Sequence, residues 1–215
     1  MRRAAMAALL LIALAALGYA GFSALRHDET PHAPPPPMDL GPVDDFSLTE
    51  RSGRAVTNAD LAGKVWVASF VFTRCTGGCP QVTGTVARLQ DALRNEPDVR
   101  LVTFTVDPER DDADELKKYA DHFGADRERW LFLTGPEDRL YGLIEKGFHL
   151  GVQHNMGADA KPGAEVTHST RLALVDRRGH VRGYFDGRQV DEEGRPVDEL
   201  PKLRPAIAAL LREKP

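Results

Sequence analysis

The sequence predicts an α/β sandwich in which helices flank a mixed central β-sheet. Apolar, β-branched runs alternate with amphipathic helical patterns through the middle of the chain, and a hairpin followed by a helix closes it. Alternating strands and helices favour parallel pairing, whereas hairpins add antiparallel strands to the same sheet. A mixed sheet follows from combining the two.

The individual elements follow from local pattern. Val65–Phe72 is β-branched and aromatic on both faces, as expected of a strand buried inside a sheet. Pro80 suits the first turn of a helix, and Val82 and Val86 begin a helical repeat of apolar residues behind it. The other predicted elements are a small N-terminal hairpin at Phe46–Val56, strands Val99–Val106 and Trp130–Leu133, helices Asp111–Phe123 and Pro136–Ile144, a long loop Gly151–Thr167, strands Arg171–Val175 and His180–Phe185, and a last helix Leu200–Leu211. This order is thioredoxin-like.

Composition excludes several classes of protein. The 215 residues, 42% hydrophobic and 28% charged, are typical of one globular domain with appendages. The 28 Lys and Arg residues against 32 Asp and Glu give a net charge of −4, so no basic excess indicates nucleic-acid binding. Two cysteines are too few for a scaffold built on several disulfides.

The N-terminus predicts a membrane anchor in residues 1–25. Ala4–Leu25 carries no charge and follows Arg2 and Arg3. A helix of this length spans roughly 33 Å at about 1.5 Å per residue, enough to cross a hydrocarbon core of about 30 Å. The positive-inside rule leaves the arginines in the cytoplasm and the rest of the chain on the periplasmic or outer side of the cytoplasmic membrane. A cleaved signal peptide is the alternative, because Gly18–Ala20 forms a small-x-small cleavage site.

Residues 26–38 are predicted to be a linker and residues 39–215 the folded domain. The run Pro34–Pro37 favours an extended polyproline II conformation, which would hold the domain away from the membrane. No cysteine lies in or beside the anchor, so lipid attachment through an N-terminal cysteine has nothing to modify.

Cys75 and Cys79 lie where the buried strand passes into the helix, with Gly77 and Gly78 between them. If Cys79 opens the helix, both sulfurs face one solvent-accessible spot near its N-terminus, where the helix dipole and free N–H groups favour thiolate. Such thiolates attack disulfides and bind soft metals. A static disulfide is the structural alternative in an oxidising compartment.

Three motifs resemble the SCO/SenC family of membrane-anchored, thioredoxin-like copper proteins. They are the segment Phe70–Cys75 with Cys79 and Pro80, the strand-end segment Thr103–Asp111, and the late histidine segment Val166–Thr170. The resemblance implies copper binding by Cys75, Cys79 and His168 in building the CuA centre of cytochrome c oxidase. The CuA-bearing oxidase subunit or a periplasmic copper donor would be the partner. One departure is Thr76, because many members have proline after the first cysteine.

The donor chemistry agrees with copper. Thiolates select Cu(I), and an added imidazole can hold Cu(I) or Cu(II). Zinc is the competitor, but a structural zinc site takes four ligands and only three candidates converge. His149, His154 and Met156, in or beside the long loop, are auxiliary candidates.

Asp107 and Asp111 are expected near the cysteines, because Asp107 ends a strand adjacent to the cysteine-bearing strand. Helix capping by Asp111 or Asp112 is the alternative.

Two functions follow from the whole sequence: a copper metallochaperone, or a thiol–disulfide oxidoreductase that needs only Cys75 and Cys79 and keeps the acceptor's copper-ligand cysteines reduced. A cysteine peroxidase is a weaker third interpretation, because the sequence around the cysteines does not resemble that class.

Overall fold

The computed structural model describes residues 38–157, 161–191 and 193–213. Its strands are β1 Ser47–Glu50, β2 Ala55–Thr57, β3 Val65–Val71, β4 Val99–Thr105, β5 Trp130–Thr134, β6 Val152–His154, β7 Val166–His168, β8 Arg171–Val175 and β9 Val181–Asp186. Its helices are α1 Asn58–Leu61, α2 Cys79–Ala92, α3 Ala113–His122, α4 Glu137–Gly142, which continues as a π-helical turn over Leu143–Gly147, and α5 Leu200–Arg212.

Seven strands form one mixed sheet in the order β2-β1-β5-β4-β3-β8-β9. The three inner strands β3, β4 and β5 are parallel, and β1, β2, β8 and β9 add antiparallel pairs on both sides. The mixed sheet flanked by helices confirms the predicted fold class and the N-terminal hairpin.

Strand β3 is buried along its whole length, as its two-sided apolar sequence predicts. Phe70 stacks on Phe104 of β4 with ring centroids 5.7 Å apart, and Phe148 meets both rings at 5.1 and 5.5 Å. On α2, the residues at helical spacing, among them Val82 and Val86, face this core. The packed aromatic cluster fixes the strand from which the cysteine loop emerges.

The predicted long loop Gly151–Thr167 is wrong in part. Strands β6 and β7 pair there as an antiparallel hairpin, with Val152 opposite His168 and His154 opposite Val166. Each strand has three residues, of which only one is buried, so neither gives the alternating pattern by which a strand is recognised. The hairpin matters because it carries His168.

The predicted anchor in residues 1–25 lies outside the described residues, as does the linker up to residue 37. Among the helices that the structure describes, none is long and apolar enough to cross a membrane.

Candidate metal centre

The loop from Thr73 to Gly78 joins β3 to α2, and Asp111 accepts hydrogen bonds from its first residue. This carboxylate is fully buried and accepts hydrogen bonds from the Thr73 N–H at 3.0 Å and the Thr73 hydroxyl at 2.6 Å. It also accepts from the Thr105 hydroxyl at 2.6 Å. Burial raises the pKa of Asp111. Asp111 therefore joins the end of β4 to the start of the cysteine loop, close to where the sequence placed it.

The neighbouring acidic residues have other roles. Asp112 is the N-cap of α3, its side chain accepting from the Glu115 N–H, which confirms the capping alternative for that residue. Asp107 follows β4, beside β3, and its carboxylate accepts from Arg110 at 2.9 Å. Its second carboxylate oxygen is buried without a hydrogen-bond partner among the described residues.

Both cysteines are free thiols, but they differ in exposure. Cys79 is the first residue of α2 and only 1% exposed, whereas Cys75 is half-buried. The expectation that both sulfurs face solvent is therefore wrong for Cys79. The Cys79 side chain lies in the hydrophobic core, where Phe72 and Val82 are also buried.

The two cysteines also differ in pKa. A hydrogen bond from Cys79 lowers the pKa of Cys75 to about 4, assisted by His168 and by the backbone N–H groups of Cys79 and Gly77. The pKa of Cys79 is raised far above its ordinary value by that hydrogen bond with Cys75 and by burial. Near neutral pH the pair therefore holds one thiolate, on Cys75, and one thiol, on Cys79.

His168 ends strand β7 with its imidazole beside the cysteines. Its Nε2 lies 3.3 Å from Cys79 Sγ, and its Nδ1 lies 3.0 Å from the Ser169 carbonyl oxygen. A carbonyl only accepts, so Nδ1 is the donor in that bond and Nε2 is the ring nitrogen that faces the sulfur. Phe72 meets the imidazole edge-on at 5.9 Å between centroids.

The hairpin that carries His168 is docked on the cysteine loop. The Thr76 N–H donates to the Gly163 carbonyl at 3.2 Å, and Arg74 pairs with Glu165 at 3.1 Å. These contacts hold His168 beside the cysteines.

The three predicted ligands thus meet as hydrogen-bond partners. Even so, no group of three or more His, Cys, Asp or Glu side chains within the described ranges stands ready to hold a metal ion. Binding at Cys75, Cys79 and His168 would need a local adjustment of these side chains and the loss of the Cys79 proton.

The auxiliary candidates have other surroundings. His154 on β6 bonds through Nε2 to Glu137 at 2.9 Å and to the Tyr141 hydroxyl at 3.2 Å. His149 is exposed and has left-handed backbone, with φ of 51°. Met156 is 83% exposed. Among the described residues, no hydrogen bond or ring contact joins any of the three to Cys75 or Cys79.

The sequence did not indicate roles for Thr73, Thr105 and Glu165. Thr73 and Thr105 donate hydrogen bonds to Asp111, and Glu165 pairs with Arg74 of the cysteine loop. Thr73 and Thr105 each stand near the C-terminal end of a parallel strand, where polar residues gather beside a site; this was the available signal. Glu165 gives no comparable signal, because its partner lies 91 positions away in the sequence.

Comparisons with known proteins agree with this fold. The SCO1/SenC family model matches residues 39–199. The SCO1 protein homolog of Bacillus subtilis (strain 168) is 33% identical over 160 residues, covering 74% of this chain and 78% of the relative.

Two solved structures share the architecture at a similar identity. The structure of BsSco is 29% identical, with a TM-score of 0.68 over 83% of this chain and 97% of the other. A SCO1/SenC family lipoprotein from Bacillus anthracis str. Ames is 28% identical, with a TM-score of 0.69 over 80% and 96%. The family model and these relatives cover the sheet and both sides of the cysteine loop, and the chain belongs to the SCO1/SenC family.

Proposed function

We propose that this chain is a copper chaperone that binds one copper ion through Cys75, Cys79 and His168 and passes it to the CuA centre of cytochrome c oxidase. The observation that carries the proposal is the placement of the His168 Nε2 atom 3.3 Å from Cys79 Sγ. A dithiol used only for redox chemistry needs no third soft donor. Two sulfurs and one nitrogen suit Cu(I) and, with the imidazole, also Cu(II).

The support from relatives is of two kinds. BsSco belongs to the Sco family of cytochrome c oxidase assembly proteins, and a disulfide switch has been identified in it. Bradyrhizobium japonicum ScoI, whose structure has copper bound, has the same fold at 24% identity and a TM-score of 0.60. At that identity the likeness carries the fold alone, so copper binding by this chain rests on its own donor set.

The partner and location complete the proposal. The acceptor is the CuA-bearing subunit of the oxidase, with a periplasmic copper donor as the other partner. The anchor Ala4–Leu25 would hold the domain on the outer side of the cytoplasmic membrane. Protease added to spheroplasts that contain the full chain should digest the domain; complete protection would contradict this location.

The test of the copper site uses the full chain in detergent, reduced and metal-free. Cu(I) competition against a chromophoric chelator should give one ion per chain, and His168→Ala should weaken binding by at least about 10-fold. His122→Ala is the matched control, since His122 is exposed on α3. Equal copper affinity in the His168 and His122 variants would remove His168 from the site.

The oxidoreductase is a second candidate, supported by the unequal thiols. Cys75, with a pKa of about 4, is a thiolate that can attack an acceptor's disulfide, and Cys79 is the buried thiol that resolves the mixed disulfide. The acceptor gains two electrons and leaves as a dithiol, while Cys75 and Cys79 lose two electrons and form one disulfide.

Exchange with oxidised glutathione separates the two candidates. For a chaperone, His168→Ala should lower copper affinity and change the glutathione exchange rate little, because the Cys79 hydrogen bond is the main cause of the lowered Cys75 pKa. If the chain exchanges rapidly but binds no copper, in either wild type or variant, the oxidoreductase is the correct assignment.

A further inference from the structure

The hairpin β6–β7 touches the cysteine loop on both sides of Cys75. Arg74, which precedes Cys75, pairs with Glu165 at 3.1 Å. Thr76, which follows it, donates its backbone N–H to the Gly163 carbonyl at 3.2 Å. The same hairpin ends in His168, so the two neighbours of one proposed ligand are tied to the segment that carries another.

Glu165 links the two contacts between the hairpin and the cysteine loop. One of its carboxylate oxygens accepts from Arg74, and the other accepts from the Gly163 N–H at 2.9 Å. The Glu165 side chain is only 14% exposed, whereas its partner Arg74 is 52% exposed. Glu165 thereby holds Gly163, the residue whose carbonyl receives the Thr76 N–H.

The contact between Thr76 and Gly163 is also sterically close. Gly163 has φ of +82°, a conformation that side-chain-bearing residues rarely adopt. A Cβ on Gly163 would lie 2.6 Å from Thr76 Oγ1 and 2.7 Å from Thr76 Cγ2. The hairpin can approach the loop this closely only because residue 163 is glycine.

We propose that Thr76 is a positioning residue whose backbone N–H and side chain hold the hairpin against the cysteine loop, so that His168 stays beside Cys79 before copper arrives. Proline at this position has no N–H and cannot make the tie. The inference rests on the proposed function, because positioning His168 matters only if His168 is a ligand. Preorganisation of this kind tightens binding by removing the cost of ordering the ligand.

Two variants of Thr76 test the proposal in the full chain. Thr76→Pro removes the N–H, whereas Thr76→Val keeps the N–H and the branched shape and serves as the matched control. A backbone hydrogen bond of ordinary net strength predicts copper binding about 2- to 12-fold weaker in Thr76→Pro and close to wild type in Thr76→Val.

Hydrogen exchange provides a readout that does not need copper. In the reduced, metal-free chain, the hairpin amides of Asn155 and Ser169 should exchange faster in Thr76→Pro by the same factor, because the hairpin opens more often. Amides in β4, across the sheet, should be unchanged, which separates local release from general destabilisation. Equal hairpin exchange and equal copper affinity in the proline and valine variants would overturn the proposal.

A second pair of variants covers the case in which Thr76→Pro fails to fold. Gly163→Ala should push the hairpin away from Thr76 and weaken copper binding, and adding Thr76→Ala should restore part of the loss by removing Oγ1 and Cγ2 from the clash. Wild-type affinity in Gly163→Ala would contradict the inference. If His168→Ala itself binds copper normally, the proposed function fails instead, whatever the result at Thr76.

Discussion

Replacing Asp111 with alanine should destabilise the fold and loosen the cysteine loop. The carboxylate is fully buried and accepts three hydrogen bonds, two from Thr73 and one from Thr105. Each donor left without a partner costs about 1–3 kcal/mol. The two hydroxyls can rotate toward other acceptors, so the low end applies, and the expected loss is about 3 kcal/mol in the free energy of unfolding.

Urea unfolding of the reduced, metal-free chain measures this loss. With a urea dependence of about 2 kcal/mol per molar, 3 kcal/mol lowers the midpoint by about 1.5 M. Asp111→Asn keeps the shape and one acceptor oxygen, so its loss should be smaller, and Asp114→Asn on the exposed side of α3 is the control. A loss below about 1 kcal/mol in Asp111→Ala would refute the role assigned to this carboxylate.

The free energy of unfolding of the wild type and of Asp111→Asn should depend differently on pH. Because burial raises the pKa of Asp111, the folded state holds this proton more tightly than the unfolded state does. Stability from this group is therefore complete below the unfolded pKa, near 4, and falls as pH rises through the folded pKa. Asp111→Asn cannot titrate, so its deficit relative to wild type should shrink as the pH is raised from about 4.

Two further outcomes concern the thiols and the metal. With a pKa of about 4, Cys75 should be alkylated by iodoacetamide at a rate that is nearly constant between pH 6 and pH 8. An ordinary thiol reacts about ten times more slowly for each pH unit below its pKa. A tenfold fall in the Cys75 rate per pH unit would contradict the thiolate assignment. One copper ion at about 1,000 times its dissociation constant should stabilise the reduced chain by roughly 4 kcal/mol, measured by calorimetric melting. The oxidised chain, whose Cys75–Cys79 disulfide has no thiolate, should gain nothing, and equal stabilisation of both forms would exclude the cysteines as ligands.

The sheet and the main helices could be predicted because each has a pattern contained in its own residues. Strand Val65–Val71 is apolar on both faces, and Val82 and Val86 share one face of α2. The hairpin that carries His168 has no such pattern, because Val152 and Val166 are the only buried residues of its two strands. Its position is set by contacts with Arg74 and Thr76, which lie far away in the sequence.

The ligand set could be predicted from motifs, but the inequality of the cysteines could not. A helix N-terminus predicts a favourable place for a thiolate without saying which sulfur turns inward. That choice depends on packing: Cys79 turns toward Phe72 and Val82, and Cys75 stays at the edge of the loop. The sequence predicts only that Asp111 lies near the cysteines. Its hydrogen bonds to Thr73 could not be predicted, because Thr73 is 38 residues away in the sequence.

Burial of Cys79 sets the order in which the two sulfurs react. Cys75 is half-buried and ionised, so an external partner meets it first. Cys79 is 1% exposed and protonated, so it acts only after a bond to Cys75 has formed beside it. This order applies equally to a copper donor and to a disulfide.

The order can be tested with oxidised glutathione and two serine variants. In Cys79→Ser, the Cys75 thiolate should displace one glutathione thiolate and remain as a mixed disulfide, because no second thiol is present to displace the other. In Cys75→Ser, the buried Cys79 should react at least about 10-fold more slowly than Cys75 does in Cys79→Ser, since it is shielded from the reagent and its burial still opposes ionisation. Intact-mass spectrometry over time distinguishes the two products. Equal rates of glutathione addition in the two variants would show that the two sulfurs are equally accessible. The proposed order of reaction, Cys75 before Cys79, would then be wrong for both disulfides and copper.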